Sequence, residues 1–202
     1  MKKLLLSALA VCAFTFSNAQ EEKTEGTSGY AKGDMMISGA FSIDSQSNVG
    51  GAKDVKTSSF EIAPKFGFFV SDNIAVGAKI GFMQENGENA AGDDTMDKQT
   101  LSVGAFGRYY FTPASKFSVF GELGLDYNSI DNKLNDAKWN GIDAMVSPGI
   151  SYFVSNSFAI EASWGALQFE TEKGDWDNAE TDTTFGLGLD LRDLTFGLVY
   201  KF

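Results

Sequence analysis

Strict alternation of apolar and polar residues is the feature that most limits what this 202-residue chain can fold into. The last nine residues are the clearest case, because successive side chains of a β-strand point to opposite faces. The apolar face of this segment consists of Leu194, Phe196, Leu198, Tyr200 and Phe202. A segment of this length is long enough for a tilted strand to cross a bilayer.

Seven earlier segments repeat the pattern, which predicts eight strands in all. Their apolar faces lie within residues 35–43, 60–70, 74–82, 101–111, 117–127, 142–154 and 158–166. None of the eight faces carries a charged residue. A cation near the bilayer midplane costs about 2–4 kcal/mol on the lipid side of a membrane barrel, so this absence favours a surface that faces lipid.

Short and long connections alternate between these segments. Tight turns rich in turn-forming residues are predicted at residues 71–73, 112–116 and 155–157. Long polar connections are predicted at about residues 44–57, 84–98, 128–138 and 171–182. Short turns at one end and long loops at the other are typical of barrels that cross the outer membrane.

Three details depart from regular strands. Pro64 and Pro148 lie inside predicted strands, where each removes a ladder hydrogen bond, so we expect bulges or breaks there. Residues 183–191 also alternate, but their apolar residues have odd numbers whereas those of the last segment have even numbers. A register change near Arg192 and Asp193, most simply a β-bulge in one long strand, would join the two.

Alternation alone leaves two kinds of barrel open, since a soluble lipocalin-like barrel turns its apolar face inward around a ligand. Here the opposite face is rich in Gly, Ser and Ala, which suit the narrow interior of an eight-stranded barrel. A solvated exterior would carry far more Lys and Glu. The sequence therefore favours a membrane barrel, with a secreted soluble carrier as the alternative.

The first 19 residues have the organisation of a secretory signal peptide, with cleavage predicted after Ala19. Lipoprotein processing at Cys12 is the alternative, but Val11 stands where such a site has a small residue. Loss of residues 1–19 leaves 14 basic and 27 acidic residues, a net charge of −13, and no Cys. Such a chain forms no disulfide and is not expected to bind nucleic acid. Residues 20–32 are polar and predict a flexible periplasmic leader.

With its terminal aromatic strand, the chain resembles the small bacterial outer-membrane β-barrel proteins of the porin-like, OmpX/OmpW-type family. The resemblance implies an all-β, eight-stranded antiparallel up-and-down transmembrane β-barrel over residues 33–202, with short periplasmic turns and longer extracellular loops. It implies the outer membrane of a Gram-negative bacterium, with membrane lipid, lipopolysaccharide and the barrel-assembly machinery as partners. In that family the machinery reads the C-terminal strand, which here ends with Tyr200 and Phe202.

The predicted inner face carries both cations and carboxylates. The charged residues are Glu61, Lys65, Lys79, Arg108, Glu122, Asp126, Asp143 and Glu161. Counted from the short-turn end, five of these residues lie three to five positions up their strands, which predicts one layer of three cations and two carboxylates: Lys65, Lys79, Arg108, Glu122 and Glu161. Unpaired charges in a narrow lumen are costly, which predicts a salt-bridged plug surrounded by aromatic side chains. The predicted aromatic residues are Phe69, Phe106, Tyr110, Phe120 and Phe153. The alternative is an ion path or gate lined by Lys65, Lys79 and Arg108.

The sequence favours a function without catalysis. It contains no His, which excludes Ser-His chemistry, and without a mature Cys it lacks the ordinary zinc ligands. No catalytic, cofactor or metal residue is predicted. The long loops are rich in Asp and Glu, so we expect solvated loops with at most weak binding of divalent cations. The predicted function is a structural or surface-interaction role through these loops, and a narrow channel for ions or small hydrophobic molecules is the alternative.

Overall fold

A computed structural model describes residues 28–48, 55–188 and 194–202, and this part of the chain consists of β-strands and their connections. The strands are β1 (Met35–Asn48), β2 (Val55–Phe69), β3 (Ile74–Glu88), β4 (Asp94–Tyr110), β5 (Phe117–Asn132), β6 (Ala137–Phe153), β7 (Phe158–Trp164), β8 (Leu167–Gly174), β9 (Thr181–Leu187) and β10 (Leu194–Lys201). Within the described residues no helix has the length and apolar content needed to cross a membrane.

The strands close into a barrel of eight. β1 to β6 pair antiparallel in sequence order, and β10 pairs with both β7 and β1, which closes the sheet. β7 and β8 are two parts of the seventh strand, since both pair with β6. β9 and β10 form the eighth strand in the same way, by pairing with β8 and β7. The eight-stranded antiparallel barrel predicted from the sequence is therefore confirmed.

The apolar face of each strand points outward. Ile80 and Leu198 expose 58% and 66% of their surface, whereas the inward-facing Phe69 exposes none. The charged and small residues of the opposite face line the interior instead. A soluble carrier with an apolar interior is therefore wrong for this chain, because its surface is apolar and its lumen is polar.

The short turns are confirmed and the long connections are shorter than expected. The turns at one end of the barrel span residues 70–73, 111–116 and 154–157. At the other end, the strands continue through most of the polar segments and leave only residues 89–93, 133–136 and 175–180 as loops. Residues 49–54, between β1 and β2, lie outside the described residues. The hairpins thus extend beyond the apolar band, which is the belt of outward-facing apolar side chains around the barrel. Backbone hydrogen bonds hold the strands together there, and these bonds require no apolar pattern in the sequence.

Pro64 interrupts its strand pair as expected. The pairing of β2 with β3 stops after Ile62 and resumes at Lys65 in the same register, while the pairing with β1 runs on through Pro64. Proline has no N–H to donate to the ladder, so the bonds are lost on one side only. The interruption here is a break without a bulge.

Pro148 lies opposite a β-bulge in the seventh strand. Gly149 of β6 pairs with Ser163, but Val146 pairs with Leu167, so the seventh strand has one residue more than β6 between these pairs. A single extra residue reverses which side chains face outward. From Leu167 onward, odd-numbered residues of this strand therefore point away from the lumen.

The eighth strand follows the same reversal. Phe185 pairs with Phe169 on the outer face, which explains why its apolar residues are odd-numbered. Between the pairs Leu194–Trp164 and Leu187–Leu167, the eighth strand has six residues where the seventh has two. The single-residue bulge predicted near Arg192 and Asp193 falls outside the described residues.

The barrel wall has a stretch without strand pairing. Among the described residues, the pairing of β1 with β10 ends at Gly39, and above that residue β1 pairs with β2. Residues 40–43 of β1 and residues 194–197 of β10 form the two sides of this stretch, which we call the seam. The seam lies at the height of the bulge in the seventh strand, because Leu194 pairs with Trp164.

Candidate functional site

The periplasmic end of the lumen is filled by aromatic side chains. The five aromatic residues predicted to fill space, Phe69, Phe106, Tyr110, Phe120 and Phe153, are all buried. The ring centroids of Tyr110 lie 5.4 Å from those of both Phe69 and Phe120. Their burial confirms the sequence prediction and leaves no wide opening at this level of the barrel.

Arg108 is the centre of the charged layer above these rings. Its guanidinium donates to Glu122 from Nε at 2.9 Å and from one terminal nitrogen at 2.6 Å. The other terminal nitrogen donates to both oxygens of Glu161 at 2.8 Å and to the Tyr110 hydroxyl at 2.8 Å. Phe120 lies beneath the charge, with its ring centroid 4.1 Å from the guanidinium carbon. The free-energy cost of burying this cation is therefore offset by two carboxylates and by the face of an aromatic ring.

Lys65 completes a neutral group of four charges. Its ammonium donates to Glu122 at 2.6 Å, so Glu122 bridges Lys65 and Arg108. The Tyr110 hydroxyl donates to Glu161 at 3.1 Å and adds a second partner to that carboxylate. We call Lys65, Arg108, Glu122 and Glu161 the charge layer. It contains two cations and two carboxylates, each with a partner.

Lys79 does not belong to the charge layer, although the sequence placed it there. It pairs with Asp126 at 2.5 Å, one step closer to the extracellular end. Lys79 lies opposite Gly104 in the sheet, and Gly104 lies opposite Asp126, so a residue without a side chain separates the two charges. A Cβ at Gly124 would lie 2.6 Å from the Lys79 ammonium, so that glycine also leaves room for the ion pair.

The two remaining residues of the predicted network stand apart from the ion pairs. Glu61 and Asp143 line the wider part of the lumen above Lys79, and Asp143 accepts a hydrogen bond of 2.6 Å from Asn128. Within the described part of the chain, neither carboxylate has a cation within ion-pair distance, and one Asp143 oxygen is buried without a hydrogen-bond partner. Of the eight predicted residues, the structure thus joins four in one group and two in a separate pair.

A cavity of about 720 Å³ occupies the extracellular half of the lumen. The charge layer forms part of its lining, and both sides of the seam contribute to its wall. Small residues of the inner face, such as Ser102 and Ser147, leave this space open. The lumen is therefore packed at one end and hollow at the other.

Tyr30 is a lumen residue that the sequence did not predict. Its side chain is 2% exposed and lies among the aromatic rings at the periplasmic end, with its centroid 4.6 Å from that of Phe69. Burial raises the pKa of the Tyr30 hydroxyl well above its usual range, and the Glu161 carboxylate adds to the shift, so the side chain remains neutral. The available signal was a single aromatic residue within the polar leader assigned to residues 20–32.

The extracellular hairpins carry most of the remaining charge. Lys133 pairs with Asp131 near the tip of one hairpin, and Trp139 packs edge-on against the exposed Trp176 of the next. No group of three or more His, Cys, Asp and Glu side chains in the described ranges is arranged to hold a metal ion. These tips therefore present solvated carboxylates and exposed aromatic surface without a formed metal centre.

The fold and the lumen define a small outer-membrane β-barrel protein. The family described as "Outer membrane protein beta-barrel domain" matches residues 5–202. The outer membrane protein OprG from Pseudomonas aeruginosa is 17% identical over 86% of this chain and 98% of its own, with a TM-score of 0.52. The E. coli outer membrane protein W is 18% identical over 86% of this chain and 99% of its own, with a TM-score of 0.49. Comparison with the curated proteins gives no match.

The chain belongs to the outer membrane protein β-barrel domain family, and its place is the outer membrane of a Gram-negative bacterium. The family resemblance and the location predicted from the sequence are thereby confirmed. The likeness to OprG supports the fold alone. The fold does not determine the function, which depends on the lumen and the hairpins of this chain.

Proposed function

We propose that this protein is a non-enzymatic outer-membrane barrel that is closed to flow along its axis and acts through its extracellular end. The observation that carries the proposal is the charge layer, in which Arg108 joins Glu122 and Glu161 across the lumen. The aromatic packing beneath the layer buries its periplasmic side. The sequence supplies no His for general base catalysis, which supports a role without chemistry.

The charge layer is better suited to closing the lumen than to conducting ions. A conducting lumen needs charged side chains that are wet and free to exchange partners with an ion. Here the side chains of Arg108, Glu122 and Glu161 are at most 7% exposed, and each is hydrogen-bonded to another member of the layer. A passing ion would have to break these bonds in a medium of low dielectric constant, where each is strong.

The extracellular hairpins are the proposed interaction surface. They extend beyond the apolar band and carry carboxylates that include Glu85, Asp97 and Glu172. Such carboxylates can bridge through divalent cations to lipopolysaccharide phosphates, and they can meet basic partners directly. We propose a structural or surface-interaction role for this end, and we propose that Tyr200 and Phe202 serve barrel assembly at the other.

Single-channel recording tests the closed lumen. The mature chain, residues 20–202, would be refolded and inserted into a planar bilayer. We expect no steady openings, because the charge layer and the rings block the axis. A variant with Lys65, Lys79 and Arg108 all changed to Gln would be compared with a control in which Lys133, Lys138 and Lys173 are changed to Gln. Steady openings of the unchanged chain, with an ion selectivity that shifts only in the first variant, would establish the channel alternative instead.

A second candidate function is a lateral route for small hydrophobic molecules, and the seam is the observation that favours it. The extracellular cavity is lined by residues from both sides of the seam, including Ser42 and Thr195. Phe196, on the same strand, points to the outer face of the barrel and is 65% exposed, and it too is among the residues that line the cavity. A molecule in the cavity could therefore leave sideways, between β1 and β10, without crossing the charge layer.

A pair of neighbouring substitutions tests this lateral route. Thr195→Trp places a large ring on the cavity side of the seam, whereas Phe196→Trp places the same ring on the lipid side of the same strand. If the route operates, cells that express the unchanged protein take up N-phenylnaphthylamine faster than cells without it. Thr195→Trp should abolish the gain and Phe196→Trp should retain it. Equal uptake with and without the protein would exclude the route.

A further inference from the structure

Residues 28–34 cross the periplasmic mouth of the barrel and are fastened to all three short turns. The Ser28 hydroxyl donates to Asn156 at 3.1 Å in the turn between β6 and β7. The Tyr30 N–H donates to the Pro113 carbonyl at 2.7 Å in the turn between β4 and β5. The Lys32 N–H donates to Asp72 at 3.0 Å in the turn between β2 and β3. The segment therefore spans the opening rather than following one edge of it.

The ring of Tyr30 fills the centre of this opening. Its centroid lies 4.6 Å from that of Phe69, 4.7 Å from that of Tyr110 and 4.7 Å from that of Phe153. The three partners belong to β2, β4 and β6, so the ring contacts three separate parts of the wall. Its hydroxyl lies 3.4 Å from that of Ser151, which is fully buried. A ring held from several sides excludes water from the space between them.

The backbone on either side of Tyr30 is positioned for this insertion. Gly29 has a φ of +117°, and a Cβ there would lie 2.7 Å from the backbone of Ala114, so only glycine fits the approach. The Gly29 carbonyl accepts a hydrogen bond of 2.6 Å from the Lys201 ammonium. The same ammonium lies 3.5 Å from Asp34. The segment is thus anchored at both ends of the inserted residue.

We propose that residues 28–34 are a periplasmic stopper, which closes the lumen as a second seal in series with the charge layer. The sealing element is the Tyr30 ring, and the contacts to the three turns hold it in place. The two seals differ in origin, because the charge layer is built from the wall and the stopper belongs to the segment that leads into β1. The inference rests on the proposed closed lumen, since a stopper has no role in a barrel that conducts.

Cysteine labelling at Ser151 tests the stopper directly. The mature chain contains no Cys, so Ser151→Cys gives a single thiol beneath the Tyr30 ring. The rate of modification by a charged, membrane-impermeant methanethiosulfonate reports how often that thiol becomes accessible. With Tyr30→Ala added, we expect modification about tenfold faster or more, because the protecting ring is absent. With Tyr30→Phe added, the rate should stay low, since the ring and not the hydroxyl forms the seal.

A second cysteine variant serves as the control for the labelling experiment. Ser155→Cys lies in the exposed turn between β6 and β7 and should be modified at one rate in all three Tyr30 backgrounds. The heat-dependent shift in electrophoretic mobility of folded barrels would confirm that each variant is assembled. Equal rates at position 151 with Tyr, Phe and Ala at position 30 would overturn the stopper.

Conductance of combined variants tests whether the seals act in series. Two variants should each show no steady openings. The first is Tyr30→Ala, and the second is the neutral layer variant, which combines Arg108→Gln, Glu122→Gln and Glu161→Gln. Their combination should show more openings than either variant alone, because the wall rings of Phe69, Tyr110, Phe120 and Phe153 are then the remaining obstruction. If the unchanged chain conducts, the closed lumen fails as a proposal, whereas unequal labelling at position 151 would still locate a barrier at Tyr30. If the combined variant does not assemble, the labelling comparison decides, because it leaves the charge layer intact.

Discussion

Arg108→Met should lower the free energy of unfolding by about 3–5 kcal/mol, the cost of leaving buried charges without their partner. The substitution keeps most of the side-chain volume and removes the cation. Glu161 then loses its only ion-pair partner in the described part of the chain, while Glu122 keeps Lys65. Equilibrium unfolding in urea, followed by tryptophan fluorescence of the protein in lipid vesicles, measures the change.

Two comparisons separate this charge effect from a general loss of packing. Lys133→Met removes an exposed ion pair with Asp131 and should change the free energy of unfolding by about 0–1 kcal/mol. Adding Glu161→Gln to Arg108→Met should restore part of the loss, because no unpaired carboxylate then remains at that site. A loss as small as that of Lys133→Met would mean that the charge layer is wet.

The membrane part of the fold was predictable because one physical constraint governs it. Every outward position in the apolar band must avoid charge, and the strands therefore show a period of two. Beyond the band that constraint ends. Gln84 pairs with Gln99 and Glu85 with Lys98 in continuous strands, yet these polar residues predict a loop from composition. Their pairing depends on backbone bonds continued from the hairpin below, which leave no pattern in the sequence.

The positions of the charged residues along the barrel axis were predictable only in part. Counting residues from the short turns placed Lys79 beside Arg108, but strands of an eight-stranded barrel tilt strongly and their neighbours are staggered. Arg108 lies opposite Glu122, whereas Lys79 lies opposite Gly104, which precedes Arg108 by four residues in β4. Which charges meet is therefore decided by the register of β3 with β4 and of β4 with β5. The sequence therefore predicts which charged residues face the lumen, but it does not predict which of them form ion pairs across neighbouring strands.

The burial of Tyr30 in the lumen was not predicted, for a different reason. The residues around it are polar, and composition then predicts a segment that does not pack. What holds it is a set of partners from three turns and three strands that meet only when the barrel closes. Such long-range contacts leave no local pattern, apart from the Gly29–Tyr30 step itself.

Gly77→Val should lower the free energy of unfolding by about 3 kcal/mol, at the upper end of the usual cost of overpacking. A Cβ at Gly77 would collide with the backbone oxygen of Phe66 and would lie 2.6 Å from the ring of Phe106. A backbone atom cannot move aside without shifting β2, so the strain is not relieved by a rotamer change. Phe106 also lies against the cations of Lys65 and Arg108, with its centroid 5.6 Å and 5.7 Å from them. The substitution therefore disturbs the charge layer as well as the wall.

Gly107→Val provides a matched control on the neighbouring strand. Gly107 lies opposite Val76, next to Gly77, but faces lipid, and a Cβ there would meet no atom within 4 Å. The added side chain contacts only the bilayer, so we expect a change within about 0.5 kcal/mol. Urea unfolding of both variants in vesicles compares an inward and an outward valine at one height of the barrel. Equal stability of the two variants would show that the lumen beside Phe106 has room for a side chain. That result would contradict the closely packed interior on which the closed barrel depends.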